Sequence, residues 1–423
     1  MKITTLYVFN LTERLFESRS EEKIFLARVV ECIKEKDLYK TVLDKTLFFP
    51  EGGGQRGDSG FIILGEKNES DFYSEKVLNV DDGEPEKVTV MNEDAVRVSD
   101  TQEKNGVIYH FCSKPFSVGD AVTGLIDYDV RFRRMQNHTG EHIVSGLIHK
   151  HFGLDNVGFH MGSEDVTLDV NGVLSKEDLD FIEHEANLAV VSNAPVEAQV
   201  FSGDVLDTMD YRSKLDIREN VRIVTISGYD KCACCAPHVS TTGKIGIIKL
   251  TGFSPYKSGT RIHMLCGFDA LEDYENKLSQ NKLSCALLSS KPNQVSMGIE
   301  RLLEENKKEK QESNSLKNVI ASLLLEKAKN ENKNYLFSDI NDPIFMRYLA
   351  TGGSEIFGVF GVFGETSENN YRYVAAGVDF DMRAFAKELN SALCGRGGGD
   401  NELIQGSVKA SAAEIEEFFR SKK

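Results

Sequence analysis

The sequence predicts an α+β protein in four successive parts. These are an N-terminal β-barrel-like domain (1–128), an α+β domain rich in histidine and cysteine (129–268), a helical or coiled-coil linker (269–335) and a C-terminal α/β glycine-rich domain (336–423). Three observations predict this order. Short β-branched segments bounded by turn residues fill the first part, and helical spacing carrying histidines dominates the second. A stretch rich in Glu, Lys, Asn and Leu then separates both from a last part punctuated by glycine.

In the first part, strands are expected at 25–30, 60–64, 88–90, 106–111 and 121–126, with turns at 81–83 and 103–106. In the second, residues 137–152 read as a helix with Ile143, Val144, Leu147 and Ile148 on one face and Gly153 ending it. Ser175 opens a second helix reaching 190, with Asp178 three residues on as a capping partner. Strands follow near 222–226, 244–250 and 259–265.

Residues 289–292 split the linker into two helices, the second covering 294–330. Its apolar seam of Leu302, Leu303, Leu316, Val319, Ile320, Leu323 and Leu324 requires a partner, either the preceding helix or a second copy in a homodimer. The last part offers strands at 356–363 and 371–376, a helix at 381–393 and a glycine-rich loop at 394–399. A short strand and a terminal helix with a capping box from Ser411 to Glu414 complete it.

Composition narrows the class. No apolar run approaches the ~20 residues that span a bilayer, and the N-terminus lacks the continuous apolar core of a signal peptide, so a cytoplasmic, non-membrane protein is expected. Of the eight cysteines, Cys232, Cys234 and Cys235 crowd one short segment, which in a reducing compartment points to metal or reactivity. The net charge of −16 argues against nucleic acid as a sum. Binding is local, however, and Arg131, Arg133 and Arg134 cluster beside two histidines.

His138 and His142 stand four apart on the expected helix, which puts both imidazoles on one face. Cys234-x-x-x-His238 supplies thiolate and imidazole, the donors zinc prefers; Cys235-x-x-His238 is the alternative pair. His138-Thr-Gly-Glu141-His142 also matches the H-x-x-E-H pattern of one metallopeptidase class. The segment 46–58 packs Gly52, Gly53 and Gly54 between Glu51 and Gln55. Backbone N–H groups there can approach a carbonyl or phosphate oxygen, and Gln55 both donates and accepts.

These residues resemble the AlaX family, the free-standing relatives of the editing domain of alanyl-tRNA synthetase. Residues 46–58 resemble its T-x-F-(Y/F)-P-E-G-G-G-Q-x-x-D segment. Residues 134–142 resemble its R-x-x-x-H-T-x-x-H helix, and 234–249 its C-x-x-x-H-V-x-x-T-G-x-I-G-x-x-K segment, with 259–262 adding G-x-R-I. The glycine run at 395–399 followed by Gln405-Gly406 is similar to the synthetase's C-terminal domain, which the family associates with tRNA binding and dimerisation. One departure stands out: relatives carry Cys-Gly-Gly-Thr-His where this chain has Cys234-Cys-Ala-Pro-His238.

The resemblance implies hydrolysis in trans of Ser-tRNA(Ala), with Gly-tRNA(Ala) as a second substrate, at one Zn2+ per chain held by His138, His142, Cys234 and His238. It selects Cys234 over Cys235 and suggests Thr46 for the serine hydroxyl. Gln55, Gly53 and Gly54 are expected to hold water and ester, with Glu141 as an extra candidate base. Arg131, Arg133, Arg134 and Lys249 are candidates for the acceptor-stem phosphates, and Arg396 and Lys409 for the tRNA elbow. A non-catalytic tRNA-binding or synthetase-regulating protein is the alternative, and a zinc metallopeptidase the remote one.

Overall fold

The computed structural model describes residues 12–78, 86–162, 165–213 and 218–422, and the turn expected at 81–83 lies outside them. The chain folds into two compact units, Met1–Ser279 and Gln280–Lys423.

The first unit begins with a closed six-stranded antiparallel barrel. Its strands, in spatial order, are Ala121–Ile126, Ile24–Glu35, Leu38–Leu43, Val107–Cys112, Val96–Lys104 and Gly60–Leu64. Alternation along Ile24–Glu35 shows why the sheet closes. Phe25, Ala27 and Val29 point into the buried core, while Leu26 and Val30 face out. A hairpin of Tyr73–Leu78 and Glu86–Met91 forms a separate two-stranded sheet.

The last barrel strand runs through Asp127 into helix α1, Tyr128–Phe152. The helix starts well before the expected residue 137, because Arg131 and Met135 bury their side chains in its early turns. It is also not amphipathic: every residue from Met135 to Ile148 is buried. α1 packs on helix α2 (Lys176–Ser192), on a four-stranded antiparallel sheet and on the strand Asp230–Ala233. Its polar side chains must therefore find partners inside the protein. α2 is capped as expected, with Ser175 accepting from the Asp178 N–H and Asp178 reaching back. The sheet runs Asn156–Met161, Val166–Val170, Gly259–Cys266, Ile248–Tyr256. A strand expected at 244–250 begins only at Ile248, because Thr242–Ile245 is a 3-10 turn ended by Gly246 at φ +84°.

The second unit holds a five-stranded sheet, ordered Tyr335–Phe337, Val359–Ser367, Asn370–Gly377, Leu403–Lys409, Arg396–Gly399. Helices Met382–Ala392 and Ala412–Arg420 contribute to an apolar cluster with Tyr373 and Ala375. Helices Val295–Asn330 and Pro343–Phe357 contribute to another with Val374 and Ala376, so the alternation of this strand divides the two cores. Two expectations are corrected here. Residues 356–357 end a helix, which Gly358 terminates at φ +78°, and the glycine-rich 396–399 is an edge strand and not a loop. On Val295–Asn330, Leu324 packs into the core, whereas Leu302, Leu303, Leu316, Val319, Ile320 and Leu323 stay exposed. No helix among the described residues is long and apolar enough to cross a membrane.

Candidate metal centre

Two short segments converge inside the first unit. α1 carries His138 and His142 one turn apart, and the loop after the strand Asp230–Ala233 carries Cys234 and His238. One donor atom from each residue lies within 4.8 Å of all the others, so the cluster can hold a metal ion. His238 Nε2 is 3.4 Å and His138 Nε2 3.6 Å from Cys234 Sγ. Cys235 is exposed and stands outside the group.

The outward nitrogens explain the convergence. His138 Nδ1 lies 3.0 Å from Gln55 Oε1, His142 Nδ1 2.9 Å from Asp230 Oδ2, and His238 Nδ1 3.1 Å from Thr139 Oγ1. Gln55 Oε1 and Asp230 Oδ2 only accept and the Thr139 hydroxyl oxygen can accept, so each ring can carry its proton on Nδ1 and offer Nε2 inward, the arrangement a ligating histidine needs. Three imidazoles and a thiolate offer four donors, the number a tetrahedral site takes.

Electrostatics agree with a cation. Burial pushes the Cys234 thiol up, but His138 and His238 outweigh it and hold it well below the usual thiol range. Burial pushes His238 down to about 3, so it is neutral and free to ligate. For His142, burial is outweighed by Asp230 and Cys234, which hold its pKa well above the ordinary value; the positive charge they favour is a proton that an ion bound at Nε2 would displace.

Gln55 reaches the cluster from a turn of four residues, 52–55. Gly52 and Gln55 exchange both backbone hydrogen bonds at 3.0 Å, and Gly53 and Gly54 sit at φ +61° and +85°, the left-handed values such a turn demands. A side chain at Gly54 would collide with Phe159, 2.6 Å from its carbonyl oxygen. The turn also accepts the Met161 N–H at Gly54 O, and the Phe159 ring lies 5.0 Å from that of His138. Gln55 is 1% exposed, and its Nε2 has no hydrogen-bond partner. The Gly52 and Gln55 N–H groups are used within the turn, which leaves those of Gly53 and Gly54 outside its bonds.

The remaining candidates divide. Thr46 Oγ1 lies 2.8 Å from His110 Nε2 and accepts from the Phe48 N–H at 3.0 Å. Glu141 is buried, with Ser145 donating to it and Asn156 Nδ2 donating at 2.7 Å. That commitment, with Cys234 and His238 completing the ligand group, does not match the metallopeptidase pattern, which requires Glu141 free as a base. Arg131 is a correction: it is fully buried, forks onto Asp58 and donates to the carbonyls of Leu47 and Ser20, so it cannot meet a phosphate. Arg133 is paired with Asp269 and Glu272, Arg134 donates to the Gly57 carbonyl at 2.9 Å, and Lys249 pairs with Glu183. Arg396 and Lys409 are exposed and make no ion pair among the described residues.

Asp230, Arg212 and His110 went unread in the sequence, and Thr139 and Asp58 stood in the quoted motifs without a role. Each acts through a partner far along the chain, and the only local hint was Asp230 four residues before Cys234.

Residues 221–263, which include Cys234 and His238, match the family model described as the threonyl and alanyl tRNA synthetase second additional domain. The chain is 28% identical over 424 residues to the alanyl-tRNA editing protein AlaX-L of Pyrococcus horikoshii, covering 96% of each. The chain is a homologue of AlaX-L. The alanine–tRNA ligase of Archaeoglobus fulgidus is 26% identical over 96% of this chain, and that of Pyrococcus abyssi 28% over 94%. This chain spans only 43% and 42% of those ligases. The C-Ala domain of Aquifex aeolicus alanyl-tRNA synthetase aligns with 21% of the chain and 86% of its own length, at 18% identity and a TM-score of 0.18.

Proposed function

We propose that this protein is a cytoplasmic trans-editing hydrolase that removes serine, and secondarily glycine, from mischarged tRNA(Ala). The observation that carries the proposal is the joining of Gln55 to the His138, His142, Cys234 and His238 cluster. Likeness to an editing protein along nearly the whole chain supports it.

The four ligands are a donor set for one Zn2+ per chain, since thiolate and imidazole favour zinc. Bound zinc supplies positive charge and Lewis acidity for oxygen atoms at the tRNA 3′ end. The chain's own groups do the rest. With Oε1 committed to His138, the free Nε2–H of Gln55 donates to the ester carbonyl oxygen as negative charge develops there. The Gly53 and Gly54 N–H groups line the same approach. A water oxygen bonds to the ester carbon, the carbon–ribose oxygen bond breaks, and the ribose oxygen takes a proton. Free amino acid and tRNA with an intact 3′ end result.

Selectivity falls to Thr46. Its oxygen accepts from Phe48 and donates to His110, which leaves one lone pair for a serine hydroxyl. An alanyl ester lacks that hydroxyl, a difference of roughly 1–3 kcal/mol. Arg396 and Lys409 are our candidates for phosphate contacts of the second unit, with Lys249 and Arg134 of the first secondary to them. The exposed row Leu316, Val319, Ile320 and Leu323 suits a homodimer.

Purified protein mixed with Ser-tRNA(Ala) and Ala-tRNA(Ala) tests the whole reading. Chelator-sensitive release of serine, with alanine spared, is expected. Zinc-loaded protein that releases neither while still binding tRNA would establish the non-catalytic alternative instead.

A further inference from the structure

The cluster of His142, Asp230 and Cys232 is a second group of metal-capable atoms within 4.8 Å of one another, and it shares His142 with the first. Such overlap poses a chemical problem. A second cation on Asp230 and Cys232 would compete for the Nδ1 of His142 and pull the ring away from the first site. Arg212 answers it. Its Nε and Nη2 lie 2.7 and 2.8 Å from the two oxygens of Asp230, so the guanidinium forks across the whole carboxylate. Of the carboxylate's roughly four lone-pair sites, the fork takes one on each oxygen and His142 Nδ1 faces a third, on Oδ2, at 2.9 Å.

The surroundings are built for this contact. Arg212 is tied by its backbone to the Asp230–Ala233 strand, donating to the Lys231 carbonyl and accepting from the Ala233 N–H. Asp230 approaches α1 where the helix carries Gly146, one turn beyond His142. A side chain there would strike the Tyr229 carbonyl and come within 2.8 Å of Asp230 Cβ. The Asp230 side chain is 2% and the Arg212 side chain 17% exposed, so the pair is shielded from water.

We propose that Arg212 and Asp230 are positioning residues for the metal. Asp230 fixes the His142 ring with its proton outward and Nε2 inward, and Arg212 reserves Asp230 for that task and keeps it out of any ligand set. The chain thereby holds one ion rather than two. This rests on the reading that His138, His142, Cys234 and His238 bind a metal.

The test uses full-length protein and three readouts that do not involve turnover: zinc affinity by competition with a chromophoric chelator, metal content per chain, and the visible spectrum of the cobalt-substituted form. Asp230→Asn is expected to weaken zinc binding 10- to 100-fold at one ion per chain and to alter the cobalt bands. Arg212→Met is expected to free Asp230, weaken the first site and raise zinc uptake above one per chain. Arg212→Lys, which keeps the charge without the fork, should fall between wild type and Arg212→Met, and guards against a variant that does not fold. Arg218→Met, which removes an exposed pair with Asp207, should change nothing. Wild-type affinity and spectrum in both Asp230→Asn and Arg212→Met would overturn the proposal. Absence of zinc from the wild type would instead overturn the metal reading on which it rests.

Discussion

His138 Nδ1 donates to Gln55 Oε1 across 3.0 Å, which joins the glycine turn of the barrel to the candidate metal centre on α1. Because a ligating Nε2 must be bare, the ring proton sits on Nδ1 and the amide oxygen must face it. The other half of the amide, Nε2, is thereby turned away from the ring. Gln55→Glu keeps the acceptor and deletes the donor. Turnover of Ser-tRNA(Ala) is expected to fall roughly 100-fold, as for loss of one oxyanion donor, with metal content unchanged. Near-normal single-turnover rates in Gln55→Glu would remove Gln55 from the chemistry.

Cys234 and Cys235 are neighbours in sequence and differ in place. Cys234 Sγ faces His138 and His238, while Cys235 is exposed. Cys234→Ala should lose the metal and lower the melting temperature of the metal-loaded protein, since an ion that binds only the folded state stabilises it. Cys235→Ala should match wild type in both. Metal analysis and thermal melting of the two variants decide it, and equal metal content in both would point to a different ligand set.

Arg131 belongs to the interior. Its guanidinium donates twice to Asp58 Oδ2, which also accepts the Phe49 N–H at 2.7 Å, so it stitches α1 to the segment leading into the glycine turn. Arg131→Met leaves that buried carboxylate with only the longer Arg134 contact at 3.5 Å for a charge partner, at a cost of about 3–5 kcal/mol. Urea unfolding should show this loss, and Arg131→Met with Asp58→Leu should recover much of it. The salt dependence of tRNA binding should not change in the double variant. A flattened slope would return Arg131 to the phosphate-contacting set.

The four residues of the candidate metal cluster were legible because their spacing is local. His138 and His142 sit one helical turn apart, and Cys234 and His238 are separated by a short loop, so residue type and distance along the chain suffice. Capping by Ser175 and Asp178 was legible for the same reason. What the ligands lean on was not. Asp230 meets His142 across 88 positions and Gln55 meets His138 across 83, contacts set by how the barrel and α1 pack. The charge on Arg131 suggested a surface, yet α1 is buried around most of its circumference, so charge alone misplaced it. The helix Pro343–Phe357 was missed because the apolar run at its end reads equally as strand until Gly358 stops it.

His110 supplies a pH signature independent of the metal ligands. It is wholly buried in the barrel, with Nδ1 3.0 Å from the Thr41 carbonyl and Nε2 beside the Thr46 hydroxyl. Burial lowers its pKa from 6.5 to about 4, against a smaller upward pull from Thr41. The unfolded chain therefore takes up a proton near pH 6.5 that the folded protein refuses until about 4. The stability this group contributes is complete above pH 6.5. It declines as pH falls, by about 1.4 kcal/mol per pH unit, and is spent below pH 4. Urea unfolding of wild type and His110→Asn between pH 7 and pH 4 isolates the effect as the difference between two slopes. The wild type should lose stability more steeply across this window, and parallel curves would mean that His110 is protonated in the folded barrel, with Thr46 then accepting from it and unable to donate.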